Sequence, residues 1–243
     1  MSDWYLHSDY QHLREEFGSL EMVFNLQGER VTHDSISEVI RVSRAAVVFY
    51  VKRYRRAISW RKYLPRQRIQ AEWENLEYFA SWGIPTAQVI AHGLQRRAGA
   101  FVRGAMITKE IPNTTDLAAL AHDGSPLLQD NHWVHSVSQQ VAGFTRAMHQ
   151  QGFVHNDLKW RNILVDEAGA AYLIDCPTGG FWWGPFLHYR IIKDLACLDK
   201  VGKYHLSRSQ RLRFYLQYSQ QQRLTPTDKK RIAKIISFFA GRE

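Results

Sequence analysis

The chain has 243 residues, 45% of them hydrophobic and 23% charged, with only two cysteines. Those figures exclude a disordered tail, a collagen-like rod and a disulfide scaffold, and a chain this long buries roughly 70–75% of its unfolded surface. Charge is the unusual feature: 32 Lys+Arg against 23 Asp+Glu give +9, a balance that points to an anionic partner of some kind.

Cys176 and Cys197 alone make no disulfide framework, so a reducing compartment is expected. The stretch after Met1 has no basic region followed by an apolar one, and the longest apolar run, 45–51, is far short of the ~20 residues that cross a bilayer. A cytoplasmic protein is expected, peripheral on a membrane at most.

In chain order, the first stretch to Phe17 reads as a polar helix. Strands are expected at 38–42 and 46–52, the second β-branched and aromatic. Residues 66–82 form an amphipathic helix, with Ile69, Trp73, Leu76, Phe79 and Ala80 at helical spacing and Gly83 and Pro85 as its stop. Further strands fall within 88–91 and 104–108, before a hinge near 110–113. A short helix at 116–121 is capped by Thr114 or Thr115. A long one covers 130–151, with Val134, Val137, Val141, Phe144 and Met148 on one stripe. Short strands at 163–165 and 171–174 follow, and the chain from Arg190 onward is mostly helical. Strands first and helices later make an α+β chain of two lobes, 1–111 β-rich and 112–243 mainly helical.

The informative stretch is His155-Asn156-Asp157-Leu158-Lys159-Trp160-Arg161-Asn162. It resembles the catalytic loop H-x-D-L-x-x-x-N of the protein-kinase-like superfamily. In that resemblance Asp157 accepts or orients the proton of an acceptor hydroxyl, Asn162 places its amide oxygen on a metal ion, and Lys159 offsets charge on the transferred phosphoryl. Eighteen residues past Asp157, an apolar strand ends in Asp175-Cys176-Pro177. Asp175 stands where that superfamily has its second metal ligand, a hard oxygen donor suited to Mg²⁺. Cys-Pro replaces Phe-Gly there, which argues against a protein-kinase activation switch.

Upstream, Phe49-Tyr50-Val51-Lys52 looks like the strand whose Lys reaches the nucleotide phosphates. The partner carboxylate belongs on the helix 66–82. At about 100° per residue, Glu72 lies roughly 50° from the centre of the apolar face, with Glu77 and Glu74 farther round, so Glu72 is the candidate. No G-x-G-x-x-G precedes the strand. Gly28 alone lies in the right region, with backbone N–H groups and Ser35 or Ser37 as the candidate phosphate cover. Asp194 resembles the carboxylate that braces the catalytic loop from the start of a later helix. A bilobal protein-kinase-like fold with ATP between the lobes is implied, the nucleotide held by Lys52, Glu72, Ser35 and the backbone at Glu110 and Ile111.

Several stretches are similar to the lipopolysaccharide core kinase family (Kdo kinase, WaaP and InaA). These are Tyr50-Val51-Lys52-Arg53-Tyr54, Glu72-Trp73-Glu74-Asn75-Leu76 leading to Gly83-Ile84-Pro85-Thr86, the His155 loop, and Lys193-Asp194-Leu195-Ala196-Cys197-Leu198. The resemblance covers about residues 25–200. It implies ATP- and Mg²⁺-dependent phosphorylation of a Kdo or heptose hydroxyl of the lipopolysaccharide inner core, at the inner face of the inner membrane. Two other readings stand beside it. One is a RIO-like atypical kinase or ATPase associated with RNA, which the Ile174-Asp175-Cys176-Pro177 run also resembles. The other is a degenerate kinase fold that only binds.

The positive charge is concentrated. Residues 52–68 carry eight basic and no acidic residues, and 200–243 carry eleven basic and two acidic. With a kinase site, an anionic membrane surface or glycolipid is the favoured partner over nucleic acid. Among the remaining features, His132 and His135 lack partners for a zinc site. Cys176 reads as a small buried apolar residue. Trp182 and Trp183 follow the metal-ligand strand, where they pack, stack on a sugar or touch a membrane.

Overall fold

The computed structural model describes residues 2–33, 36–55, 63–64 and 66–241. The chain forms two compact units: Met1–Glu77 with Ala87–Pro112, and Tyr78–Thr86 with Asn113–Glu243.

The first unit is built on a six-stranded antiparallel sheet. Its strands are β1 (Ser2–Leu6), β2 (Glu29–His33), β3 (Ser37–Arg44), β4 (Val47–Tyr54), β5 (Val89–Arg97) and β6 (Ala100–Lys109), in the order β1-β5-β6-β4-β3-β2. The N-terminal stretch expected as a polar helix is therefore partly a strand. β1 pairs with β5, Trp4 opposite Gly93, and turns Trp4 and Leu6 toward the core. The pairing leaves no local signal in the sequence, because its partner is about ninety residues away. A 3₁₀ turn (Ser8–Leu13) and two short helices, α1 (Arg14–Phe17) and α2 (Leu20–Asn25), follow. Phe17, Leu20 and Val23 are buried with Val42, Phe49, Val51, Ile90 and Ile107. Burial of large aliphatic and aromatic side chains at roughly 1.5–3 kcal/mol each is what holds this unit together.

The hairpin β3–β4 has the expected turn, with Ala45 at φ 46° and Ala46 at φ 65°. It sets Ser37 opposite Tyr54 and Val39 opposite Lys52. Helix α3 (Arg68–Ser81) matches the expected 66–82. It buries Ile69, Trp73, Leu76 and Phe79, while Ala80 faces solvent.

The second unit takes the last turn of α3 with it. Thr86 donates to Leu173 O at 2.6 Å, and Leu173 N–H donates to Pro85 O at 2.9 Å. Phe79 and Trp82 pack edge-on against Phe153. Here β7 (Thr115–Asp116) precedes α4 (Leu117–His122). The cap of α4 is Asp116, whose side chain accepts from Ala119 N–H at 2.9 Å, and not the expected Thr114 or Thr115. Asp-x-x-Ala closes the first turn once the preceding Thr pairs as strand. Helix α5 (Asn131–Gln150), capped by Asp130, is the central one. It buries Val134, Val137, Val141 and Met148 as expected, with Phe144 half-buried. Strands β8 (Phe153–Val154), β9 (Ile163–Val165), β10 (Ala171–Leu173) and β11 (Gly180–Phe181) frame the loop of interest; β10-β9-β7 and β11-β8 are the two small sheets. Three helices close the unit: α6 (Gly184–His205), α7 (Arg208–Ser219) and α8 (Pro226–Ser237). Asp194 was expected near a helix start; it lies in the middle of α6, which begins ten residues earlier at Gly184 behind an uncapped Trp183. Among the described residues no helix is long and apolar enough to cross a membrane.

Candidate active site

In the first unit, Lys52 projects from β4, and its Nζ lies 2.6 Å from Glu72 Oε1 on α3. Glu72 is 2% exposed. A carboxylate buried to that degree needs a paired charge, and the ammonium supplies it. The other two carboxylates of α3 go elsewhere, as the helical wheel requires. Glu74 binds Arg66 at 2.7 Å, and Glu77 sits exposed beside His92, whose imidazole burial pushes down to about 4 and so keeps neutral.

The nucleotide contacts expected around this pair are placed unevenly. Ser35 lies outside the described residues; Ser37 has entered β3. Gly28 serves the sheet: a Cβ there would stand 2.5 Å from Arg41 O, so glycine is required for β3 to pass close by. The Glu110 N–H is committed to Val48 O at 2.9 Å, and its carboxylate takes Arg41 at 3.3 Å and the Tyr50 hydroxyl at 3.1 Å. Its carbonyl is the group left to carry the expectation. Ile111 follows β6, half-buried.

In the second unit, α5 ends, Gly152 turns the chain at φ 71°, and β8 delivers it to His155. His155 is fully buried and stacks on Phe79 with ring centroids 6.1 Å apart. Burial pushes its pKa down, against the pull of the Asp194, Asp175 and Asp157 carboxylates, so it packs as a neutral ring. Asn156 takes φ 65°, which asparagine tolerates better than other residues with a Cβ. Its side chain donates to Thr178 O at 2.8 Å and accepts from Arg190 at 2.6 Å, while its carbonyl accepts from Lys193 at 2.8 Å. These anchors turn Asp157 outward, and sequence reasoning missed them. The available signal was an asparagine between His and Asp.

Asp157 holds Lys159 Nζ at 2.6 Å on one oxygen and Arg161 at 3.2 Å on the other. Burial alone would raise its pKa, but the hydrogen bond and charge of Lys159, joined by Arg161, hold it below the ordinary carboxylate range. Arg161 was not foreseen, although its spacing of four from Asp157 is the usual sign of such a pair.

Asn162 is 3% exposed, and its amide nitrogen donates to Asp157 O at 2.8 Å. That leaves the amide oxygen as the atom it has to offer. Its own carbonyl accepts the N–H of Ile174 at 2.9 Å, which ties the residue before Asp175 to the loop. Asp175 is half-buried at φ 54°, a left-handed position for a residue with a Cβ. One amide oxygen and one carboxylate suit a hard divalent cation that takes its other ligands from phosphates and water. Among the described residues no group of three or more His, Cys, Asp or Glu that could hold a metal ion is found.

Cys176 is fully buried, its Sγ 3.8 Å from His155 O, where it packs as the small apolar residue expected. Trp182 lies under the Arg190 guanidinium at 3.5 Å, whereas Trp183 is 77% exposed.

Comparisons with known proteins bear on the family and the fold. A family model described as "Lipopolysaccharide kinase (Kdo/WaaP) family" matches residues 18–218. A "3-deoxy-D-manno-octulosonic acid kinase" of Xylella fastidiosa (strain 9a5c) is 28% identical over 114 residues, 47% of this chain and 42% of that protein. Its counterpart in strain M23 is 29% identical over 119 residues, with the same shares. The chain thus spans about two fifths of the length of the curated relatives it matches. A solved structure titled "WaaP in complex with acyl carrier protein" superposes with a TM-score of 0.78 at 19% identity, over 99% of this chain and 97% of that one. At that identity the likeness establishes a shared kinase-like α+β fold.

Proposed function

Since the chain belongs to the lipopolysaccharide kinase (Kdo/WaaP) family, we propose that it transfers the terminal phosphoryl of ATP to a sugar hydroxyl, Kdo or heptose, of the lipopolysaccharide inner core. The observation that carries the reading is the tie of Asn162 both to Asp157, through its amide nitrogen, and to Ile174, the residue before Asp175, through its carbonyl.

Asp157 is ionised at neutral pH and is a weak base. Its task is to orient the acceptor hydroxyl and take its proton late, which suffices for a loose phosphoryl-transfer transition state. Lys159 and Arg161 flank it and offset negative charge gathering at the transferred group. Lys52, fixed by Glu72, binds nucleotide phosphate oxygens. Asn162 and Asp175 are the residues that would hold Mg²⁺, which when bound neutralises phosphate charge.

The partner is a glycolipid, and an anionic inner-membrane surface at the cytoplasmic face is part of the proposal. Its support is three exposed aromatics on one stretch, Trp183, Phe186 and Tyr189, together with the basic excess of 200–243. Tyr189 meets Phe238 at 5.5 Å, and Lys200 lies 5.3 Å from the Phe239 ring, so aromatic and basic groups mix there. The other basic segment, 52–68, falls partly outside the described residues, which omit 56–62 and 65.

The test is Mg·ATP turnover by the purified chain on core glycolipid, on protein and on RNA, with Asp157→Ala alongside. Phosphate incorporated into a core sugar by wild type alone supports the reading. Stimulation by RNA with no sugar product overturns it.

A further inference from the structure

Two cations of α6 lie against the catalytic loop without a counter-charge. The Arg190 guanidinium donates to Asn156 Oδ1 at 2.6 Å and lies 3.5 Å over the Trp182 ring, and Lys193 Nζ donates to Asn156 O at 2.8 Å. Three residues apart on one helix, the two share a face. Elsewhere in the chain Arg41, Arg66 and Arg211 each end on a carboxylate, and beside the loop Lys159 and Arg161 take Asp157. Arg190 and Lys193 end instead on neutral oxygens of one asparagine, and among the described residues no carboxylate pairs with either. Asp194, next in the chain to Lys193, gives its two oxygens to the N–H groups of His155 and Asn156. We propose that Arg190 and Lys193 form an oxyanion site for the acceptor, which binds a carboxylate or phosphate group of the core glycolipid and so sets which hydroxyl is offered to Asp157. The proposal rests on the kinase reading of the site.

The arrangement is set before any ligand arrives. Strand β11 pairs with β8, Phe181 opposite Phe153, and Trp182 N–H donates to Gly152 O at 2.8 Å. The indole that carries the guanidinium is thereby fixed to the strand that leads into the loop, and its face attracts the cation. Asn156 Nδ2 donates to Thr178 O at 2.8 Å, which leaves Oδ1 for Arg190. Asn156 takes one of the five N–H groups of the guanidinium; among the described residues the other four have no acceptor. A planar fork with free donors matches the paired oxygens of a carboxylate or a phosphate. Arg190 and Lys193 are both half-buried, where a charge gains more from an incoming anion than it does in open water. Asn156 directly precedes Asp157, so the site adjoins the residue proposed to orient the hydroxyl. Kdo carries a carboxylate and a phosphorylated heptose a phosphate, and both present the same chemistry.

The competing account is that Arg190 only clamps the segment 178–182 to the loop. The two accounts differ in whether charge toward the acceptor or the tether to Asn156 is what counts. Arg190→Gln keeps a donor for Asn156 and loses the charge and the fork, whereas Arg190→Lys keeps the charge.

Initial rates with Mg·ATP are measured on native core glycolipid, on glycolipid whose carboxyls are reduced to alcohols, and on glycolipid stripped of phosphate, with Tm for each variant. Arg190→Gln should raise KM for native glycolipid by about tenfold or more at unchanged KM for ATP, and Arg190→Lys should recover part of the loss. The glycolipid that lacks the recognised anion should raise KM for wild type and abolish the difference between wild type and Arg190→Gln. The reduced form doing so assigns a carboxylate, the stripped form a phosphate. An undiminished difference on both modified glycolipids, equal losses in the Gln and Lys variants, or kcat falling with Tm at unchanged KM for glycolipid would overturn the proposal. If Arg190→Gln does not fold, Lys193→Gln, which also keeps a donor for Asn156, is read by the same criteria. If wild type phosphorylates nothing, the kinase reading fails and NMR decides the site. The Trp182 indole N–H signal should then move on adding free Kdo or inorganic phosphate to wild type and stay in place in Arg190→Gln. No movement with either anion, or the same movement in both proteins, would overturn it.

Discussion

Removing the Asp194 carboxylate isolates the bracing of the loop from its chemistry. Its oxygens take two backbone N–H groups at 2.7 and 2.8 Å in a site with no solvent exposure. Hydrogen bonds to a charged acceptor contribute about 1.5–3 kcal/mol each, and an orphaned buried N–H costs a similar amount. Asp194→Ala should therefore destabilise the protein by about 3–6 kcal/mol. For a chain of this size each kcal/mol moves Tm by about 2–4 °C, so the melt should fall by about 6–24 °C. Asp194→Asn keeps the shape and one acceptor but points an NH₂ at a second N–H, and should fall roughly half as far. Thermal or urea unfolding measures both. An Asp194→Ala protein melting within 2 °C of wild type would refute the reasoning, since it would mean that the two amides find other acceptors.

Other outcomes follow from the same geometry. Asp157→Asn and Asp175→Asn should each lower kcat/KM by about a thousandfold in protein that still folds cooperatively; turnover near wild type in either would break its assignment. Lys52→Met should cost about a hundredfold in kcat/KM for ATP, read by initial rates. The folded pKa of Asp157 is depressed, so the stabilisation from its pairs is present above the unfolded value of about 3.9 and is lost as pH falls through the lower folded value. The acid limb of the rate profile above pH 4 should then survive in Lys159→Gln with its midpoint in place, or the limb belongs to Asp157 after all. Trp183→Ala with Phe186→Ala should weaken sedimentation with anionic vesicles while leaving Tm unchanged; binding equal to wild type would remove that face from the membrane proposal.

The parts of the candidate site that were legible in the sequence are those whose chemistry demands a residue type at a fixed spacing. Lys52, Asp157, Asn162 and Asp175 could be proposed because a phosphoryl site would leave little choice at those points. Glu72 was separable from Glu74 and Glu77 because the helical period decides which carboxylate turns inward, and the Lys52 pair is found there. Features set by distant partners were not legible. β1 is a strand only because β5 offers it an edge, and Gly28 is fixed by the passage of β3. The cap of α4 shifted to Asp116 once Thr115 was taken into β7. The contacts of His149 leave no local signal either, since its two partners come from other helices.

The left-handed backbone at Asp175 has a practical consequence. A residue with a Cβ pays about 1–2 kcal/mol to sit at φ 54°, whereas glycine sits there freely and loses only about 0.5–1 kcal/mol through its looser unfolded chain. Asp175→Gly would thus delete the carboxylate at little or no cost in backbone conformation. Such a variant separates durability from turnover: it would keep the acceptor surface in a form that neither unfolds nor consumes what it binds, and so could serve as bait for isolating the acceptor.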